Sequence, residues 1–334
     1  MNKVVNTFFE SGWYHASLPF RLLLPLLWLL SLLFTWVANC RRRTLEQNRI
    51  QPLSVPVIIV GNISVGGTGK TPLLASLASA LRARGLQPGI ISRGYGGSYR
   101  GVARTVAVTD AAAEVGDEPL LLAQRTGCPV VIGKDRVAAA QALIAQGVSV
   151  ILSDDGLQHY ALPRSVEIAV IDGQRGLGNG LCLPAGPLRE PPTRLQSVDF
   201  VVSNGDAETR FRDDQFTMQV VPTCWRHLQS GEEKSLDVLP VNKPLHAVAG
   251  IGNPQRFFST LRALGYTITE RVLPDHHAFS PADITFADDA PVVITEKDAV
   301  KCCRFAGQQV YALIVSAVLP DHFIHAVLDK IQEK

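Results

Sequence analysis

Residues Val57 to Pro72 read VIIVGNISVGGTGKTP, and their reading decides the fold. Val57 to Val60 is a short apolar run of the kind that forms a buried strand. From Pro72 to Arg84, Leu73, Leu74, Leu77 and Leu81 recur along one face of a helix. Between strand and helix lies a glycine-rich turn, the setting of a phosphate-binding loop. In such a loop successive backbone N–H groups point inward at an anion, and glycines let the backbone approach without a side-chain clash. Gly66, Gly67 and Gly69 supply that freedom, and Gly61, Ser64, Val65 and Thr68 complete the loop. Lys70 can reach the outer phosphates, Thr71 can place a hydroxyl on Mg²⁺, and the following helix points its positive end at the anion. The strict pattern G-x-x-x-x-G-K-[ST] asks for glycine where Ser64 stands, but the bend there need not demand a positive φ. A nucleotide site is expected.

Outward from this loop, strand-like and helix-like segments alternate. Strands are expected at 57–60, 89–91, 130–132, 148–152, 166–171 and 200–202, and helices at 72–84, 120–125 and 136–146. This order predicts an α/β fold of P-loop NTPase type, a mostly parallel sheet with helices on both faces. Around Arg210 the texture changes, and FTMQVVPTCWRHLQSGEE alternates polar and apolar as antiparallel strands do. Strands at 246–249, 267–272 and 292–294 and helices at 254–264 and 320–331 then indicate a smaller α/β domain.

Leu22 to Ala38 reads LLLPLLWLLSLLFTWVA, 17 residues without a charge. As a helix it spans about 25 Å, against about 30 Å for a bilayer core. It is apolar on every side, unlike a helix that packs on one face. Arg41, Arg42 and Arg43 close the run and place the domain beyond them on the cytoplasmic side. A membrane-anchoring helix is expected, spanning or lying in one leaflet. The division read from the chain is an anchoring segment at 1–43, a P-loop domain at 44–210, opening with a polar linker at 44–56, and a β-rich linker with the smaller α/β domain at 211–334.

The 334 residues carry a net charge of +2, which gives no electrostatic case for a nucleic-acid partner. Six cysteines show no C-x-x-C spacing and read as thiols of a reducing compartment.

Acidic groups follow two of the expected elements. The strand at 148–152 runs into Asp154-Asp155, where a nucleotide-binding loop needs a carboxylate for Mg²⁺. Asp-Asp-Gly is also good turn chemistry. GDEP at 116–119 offers Asp117 and Glu118, as a proton acceptor for an attacking hydroxyl or as helix-capping acids. PDHHAF at 274–279 offers Asp275, His276 and His277, a histidine to orient a catalytic aspartate or simply surface histidines. The stretch 172–191 is long, glycine-rich and basic at Arg175 and Arg189, more than a connector needs to be. TEKD at 295–298 follows a strand and mimics a guanine-reading tetrapeptide.

In order, GNISVGGTGKTP, SRGYGG, GDEP, SDDGLQH, NGLCLPAGPLREP and PDHHAF resemble the tetraacyldisaccharide 4′-kinase family, and the resemblance covers nearly the whole chain. Ser64 is part of that family's pattern. The resemblance implies ATP-dependent phosphorylation of the 4′-hydroxyl of a tetraacyldisaccharide 1-phosphate to give lipid IVA, at the cytoplasmic face of the inner membrane, with ATP and Mg²⁺ as cofactors. It implies two domains joined by a two-stranded β linker. By motif, Lys70 and Thr71 take the phosphate and Mg²⁺, Asp117 is the base, and Glu118, Asp154 and Asp155 lie near the metal. His276 pairs with the base, with His277 its rival. Tyr95, Arg136, Gln158, His159 and Arg175 are further candidates for disaccharide, phosphate or nucleotide contacts. The partners implied are the glycolipid and the inner-membrane lipid, with no obligate protein partner.

Two other functions fit parts of the sequence. A GTP-binding switch protein would use TEKD for guanine, and an ATPase subunit of a membrane assembly would hydrolyse ATP without an acceptor hydroxyl. Neither accounts for the apolar helix together with GDEP and PDHH.

Overall fold

The computed structural model describes residues 3–15, 17–47, 52–207, 210–239 and 244–333. Two helices open the chain, α1 (Lys3–His15) and α2 (Leu18–Gln47). The first half then runs β1 (Val57–Gly61), α3 (Lys70–Arg82), β2 (Pro88–Ser92), β3 (Arg104–Thr105), α4 (Ala112–Val115), α5 (Asp117–Thr126), β4 (Val130–Ile132), α6 (Arg136–Ile144), β5 (Val150–Asp154), β6 (Val166–Asp172) and β7 (Phe200–Asn204). The second half runs β8 (Phe216–His227), β9 (Glu233–Lys234), β10 (Leu245–Ala249), α7 (Pro254–Ala263), β11 (Ile268–Val272), β12 (Val292–Thr295), α8 (Glu296–Cys302), β13 (Val310–Val318) and α9 (Asp321–Gln332).

The strands form one continuous sheet in the order β11-β10-β12-β13-β8-β7-β6-β1-β5-β2-β4-β3, with β9 beside β8. From β7 to β4 all neighbours are parallel, and so are β11, β10, β12 and β13. The expected α/β architecture is therefore present. β8 belongs to both halves. Its first residues run parallel to β7, with Val202 opposite Phe216, and the rest runs antiparallel to β13, with Val318 opposite Gln219 and Tyr311 opposite His227.

Burial explains which segments became which element. β1, β2, β4 and β5 are buried along their whole length, as two-sided coverage by helices requires. On α3, Leu73, Leu74, Leu77 and Leu81 are fully buried against the sheet. Each contributes about 1.5–3 kcal/mol, and Leu77→Ala alone would cost about 2–5 kcal/mol. Trp225 of β8 anchors the core of the second half, donating Nε1–H to Leu236 O at 3.1 Å and packing edge-on against Tyr266.

Several segments differ from the sequence-based expectation. The linker expected from residue 44 is helical as far as Gln47, because α2 continues through Arg41 to Arg43. Pro25 lies inside α2. VYALIVSAV at 310–318, given no element from the sequence, is β13. Asp117, expected just before a helix at 120–125, is itself in the first turn of α5.

α2 keeps Leu22, Leu26, Leu29, Leu33 and Trp36 exposed, while Phe20 and Ser31 are buried. Its most apolar 18-residue window has a mean hydropathy of 1.9, enough by length and composition to cross a membrane. Its inner side is fastened to the 173–191 loop. Ser31 donates its hydroxyl to Cys182 O at 2.8 Å, and Trp13 of α1 donates its indole N–H to Pro184 O at 3.1 Å.

Candidate active site

The glycine loop lies between β1 and α3, at the end of the sheet where the parallel strands finish. Gly66 and Gly69 adopt φ of 101° and 92°, a region closed to most side chains. A Cβ on Gly69 would lie 2.3 Å from Asn204 Nδ2, so no side chain fits there. Ser64 has no such constraint. Among the described residues only Asp155 and His276 combine a side chain with positive φ. Ser64 instead forms an antiparallel bridge with Leu188, next to a hydrogen bond from Val65 N to Pro187 O at 2.9 Å. The 173–191 loop thus braces the phosphate loop where the strict pattern has glycine.

Lys70, the first residue of α3, directs its ammonium to Asn62 Oδ1 at 3.2 Å and to Asp155 Oδ1 at 3.6 Å. Arg189 donates to Asp155 Oδ2 at 2.8 Å. Burial raises the Asp155 carboxyl, but Lys70 and Arg189 outweigh it and hold the group at about 2. Its neighbour behaves in the opposite way. Asp154 is buried at the end of β5 and accepts a hydrogen bond from Ser92 at 3.1 Å. Burial, reinforced by the nearby charge of Glu118, pushes its carboxyl up to about 7. The two adjacent acids therefore face different surroundings, as alternation along a strand end allows. Thr71 follows Lys70 in the first turn of α3.

Asp117 and Glu118 sit at the start of α5, where the helix dipole favours negative charge. Asp117 is buried, and His276 Nδ1 lies 3.0 Å from its Oδ2. Burial pushes the Asp117 carboxyl up, yet the His276 hydrogen bond and the ammonium groups of Lys297 and Lys301 bring it below the usual carboxylate range. The same hydrogen bond raises the His276 imidazole, against the opposing effect of its burial. His276 occupies the left-handed region, with φ 57°, and its ring meets Tyr95 edge-on with centroids 4.9 Å apart. His277 turns away to Asp283 Oδ2 at 3.2 Å. Of the two histidines expected as partners of Asp117, the structure brings only His276 to it.

The second half of the chain also stands over the phosphate loop. A Cβ on Gly252, in the turn after β10, would lie 3.7 Å from Gly67 N and 3.3 Å from Asp275 Oδ2. Arg256 of α7 donates to Asn204 Oδ1 at 2.7 Å and lies 3.6 Å from Asp172. Arg175 Nη1 would be 3.4 Å from a Cβ on Gly66, which places the guanidinium beside the loop.

Further basic groups gather beside Asp154. Arg136 is buried and donates to Asp154 O at 3.2 Å, while its Nε and Nη1 have no hydrogen-bond partner. Burial draws its guanidinium down to about 10. Burial and the charges of Arg136 and Arg93 bring His159 down to about 4, so its ring is neutral near pH 7. Lys134, Arg136, His159 and Leu162 line a pocket of about 360 Å³. Gln158 donates to Asn62 O at 3.2 Å and to Glu190 Oε1 at 2.5 Å, which ties it to the frame behind the loop.

The TEKD segment does not have the freedom that guanine reading needs. Asp298 is fully buried, accepting hydrogen bonds from Gly250 N at 2.9 Å and from Thr295 Oγ1 at 2.7 Å. Lys297 points at Glu118, 2.9 Å away. Sequence reasoning missed Asn62, Asn204 and Lys297 as site residues. Asn62 lies inside the quoted glycine-rich stretch, and its position beside the loop was a usable signal. Lys297 carried none.

A glycine loop with its lysine between a buried strand and a helix, carboxylates at the ends of neighbouring elements and a second α/β half over the loop define a phosphoryl-transfer protein of the P-loop α/β class. A family model described as tetraacyldisaccharide-1-P 4′-kinase matches residues 23–332. The tetraacyldisaccharide 4′-kinase of Alkalilimnicola ehrlichii is 55% identical over 79% of this chain and 79% of its own length. That of Alcanivorax borkumensis is 46% identical over 96% of both chains. The crystal structure of LpxK from Aquifex aeolicus, solved in complex with ATP, superposes with a TM-score of 0.78 at 28% identity, over 94% of this chain and 100% of that one. The chain belongs to the tetraacyldisaccharide-1-phosphate 4′-kinase family, and it is a kinase.

Proposed function

We propose that this chain transfers the γ-phosphoryl group of ATP to the 4′-hydroxyl of a tetraacyldisaccharide 1-phosphate, giving lipid IVA, with Asp117 as the base. The observation that carries the residue assignment is the Asp117–His276 contact at 3.0 Å, beside a glycine loop whose Lys70 is held by Asn62 and Asp155.

Phosphoryl transfer asks a protein mainly for positioning and for stabilisation of charge, because the transition state is loose. Gly61, Ser64, Val65, Gly66, Gly67, Thr68 and Gly69 form the cradle for the phosphates, Lys70 supplies a cation to them, and Arg175 stands beside Gly66. The acceptor oxygen forms a bond to the γ-phosphorus as the bond to the departing ADP oxygen breaks. The hydroxyl proton passes to Asp117. His276 fixes the orientation of that carboxylate and stabilises the protonated pair. Arg136 and His159, which line one pocket, suit the phosphate of the acceptor, and Tyr95, against the His276 ring, suits its sugar.

Among the described residues no three His, Cys, Asp or Glu side chains form a metal cluster by themselves. Mg²⁺ usually binds through one or two carboxylates together with substrate phosphates, so this donor set fits it. Asp154 is buried with Glu118 acting on it, and a cation there relieves the cost of both charges. Thr71, Asp154 and Glu118 would hold the ion, with Asp155 beside them committed to Lys70 and Arg189. When bound, Mg²⁺ neutralises charge on the transferring phosphates.

The chain is read as an anchoring segment at 1–43, a kinase domain at 44–210, and a linker with a smaller domain at 211–334. The exposed apolar side of α2 supports attachment to the inner membrane with the kinase domain on the cytoplasmic face. The Ser31–Cys182 contact holds the middle of that helix against the protein. This supports a helix lying along one leaflet, where the acceptor lipid also resides. The test is transfer of label from γ-labelled ATP to tetraacyldisaccharide 1-phosphate in detergent micelles, for wild type and Asp117→Asn. Label in the lipid that vanishes in the variant supports the reading, and label released only as free phosphate overturns it.

A further inference from the structure

The 295–298 segment reads as a nucleotide motif and is not used as one, yet it reaches into the active site. Lys297, in the first turn of α8, donates a hydrogen bond to Glu118 Oε1 at 2.9 Å. The same Nζ lies 3.9 Å from Asp117 Oδ2 and 3.6 Å from Asp275 Oδ1. One ammonium group thus stands among three carboxylates, on α5 and on the loop that carries His276. Its side chain is only 19% exposed, so water screens these attractions weakly.

α8 does not depend on Lys297 to stay in place. Thr295 caps it by accepting from Asp298 N at 3.1 Å. Asp298 fastens it to Gly250 at the end of β10. Glu296 pairs with Arg125 of α5 at 2.6 Å. Lys301 also lies 3.9 Å from Asp117 Oδ2, but it is engaged at 2.7 Å by Asp298, within its own helix. The motif therefore divides into residues that hold the helix and one residue that leaves it for the site.

We propose that Lys297 is a positioning residue for phosphoryl transfer, fixing the Asp117 and Glu118 carboxylates against the His276 loop. The proposal rests on Asp117 being the base. Without this ammonium, Asp117, Glu118 and Asp275 repel one another, and the Asp117 carboxylate loses the setting in which His276 meets it.

The test uses the full-length enzyme in micelles with ATP and tetraacyldisaccharide 1-phosphate, with kcat normalised to folded protein. Lys297→Met is expected to lower kcat about 10- to 100-fold, the cost of a misplaced reacting group. KM for both substrates is expected to stay within about threefold, because ground-state binding is untouched. Lys297→Arg, which keeps the charge, recovers most of the loss. In the double variant Lys297→Met with His276→Ala the two losses do not multiply, because both act through Asp117. A Lys297→Met enzyme with kcat within about twofold of wild type, a loss confined to KM, or multiplying losses in the double variant would overturn the proposal. So would a Lys297→Met defect that appears only as a lowered melting temperature. Asp117→Asn separates the two readings. If it still transfers phosphate, the base assignment fails; if it is inactive while Lys297→Met is active, only the role of Lys297 fails.

Discussion

Asp117 and His276 are 159 residues apart in the chain, and their side chains meet at 3.0 Å. One comes from the first turn of α5 and the other from the loop after β11, so the pair exists only when the two halves of the chain are packed together. His277, one residue on, pairs with Asp283 inside the second half.

That asymmetry predicts unequal effects. His276→Ala should lower kcat about 10²- to 10⁴-fold, the range for losing a proton-transfer group or its partner, with little change in KM. His277→Ala should leave kcat within about threefold of wild type, since its carboxylate partner lies outside the site. Steady-state transfer assays on the two variants check both. Equal losses would show that the pairing does not govern the chemistry.

Gly69→Ala should abolish nucleotide binding in a folded protein. The added Cβ meets Asn204 Nδ2 at 2.3 Å and forces a side chain onto φ 92°. Gly67→Ala meets nothing within 4 Å from its own Cβ and should be milder. Equilibrium titration with a fluorescent ATP analogue, alongside circular dichroism, distinguishes lost binding from lost fold.

Replacing Leu26, Leu29 and Leu33 together with glutamine should release the protein from liposomes while its thermal midpoint stays the same. These side chains are exposed and contribute nothing to the internal core. Flotation on anionic vesicles is the measurement. Retention of the variant on the vesicles would place the attachment elsewhere.

Glu167 carries a pH prediction away from the active site. It accepts hydrogen bonds from Arg164 and Arg194 and is mostly buried. Burial raises its carboxyl, but Arg194 and Arg164 prevail and hold it below its ordinary value of 4.5. The unfolded chain therefore binds this proton more readily than the folded one. The stability it contributes is fully present above about pH 4.5 and is lost as pH falls through the lower folded value. Glu167→Ala should cost about 1–3 kcal/mol at neutral pH, because Arg194 and Arg164 lose their shared carboxylate while Arg194 keeps Glu190 and Arg164 keeps the carbonyls of Leu157 and His159. The penalty should shrink on acidification, which urea unfolding at pH 7 and pH 3.5 would measure.

The first half of the fold was legible because its signals are local. The apolar run at 57–60, the leucine face of 72–84 and the glycines between them each declare an element, and their order declares a parallel sheet. The antiparallel texture of 216–227 was legible for the same reason. β13 was not. VYALIVSAV is a continuous apolar run, compatible with a strand or a buried helix, and lacks the alternation that separates them. The geometry of the candidate site was legible where the quoted motifs fall at the ends of the elements around the glycine loop, at Lys70, Asp117, Asp154 and His276. Lys297 was hidden because its partner Glu118 is 179 residues away. The same four letters that suggested guanine were consistent with a buried cap, and packing alone decides between these.

The 173–191 loop touches the N-terminal helices at Cys182 and Pro184, and the phosphate loop at Pro187 and Leu188. Only a few residues separate the two contacts. On the proposed attachment of α2 to lipid, this short span would set the height of the phosphoryl donor above the bilayer. In that arrangement it would act as a ruler between the lipid surface and the phosphate loop. Leu183 N donates to Leu188 O at 2.8 Å and Leu188 N to Leu181 O at 3.2 Å, so the two contacts are held side by side, and a turn lengthened between them would bulge outward without changing that height.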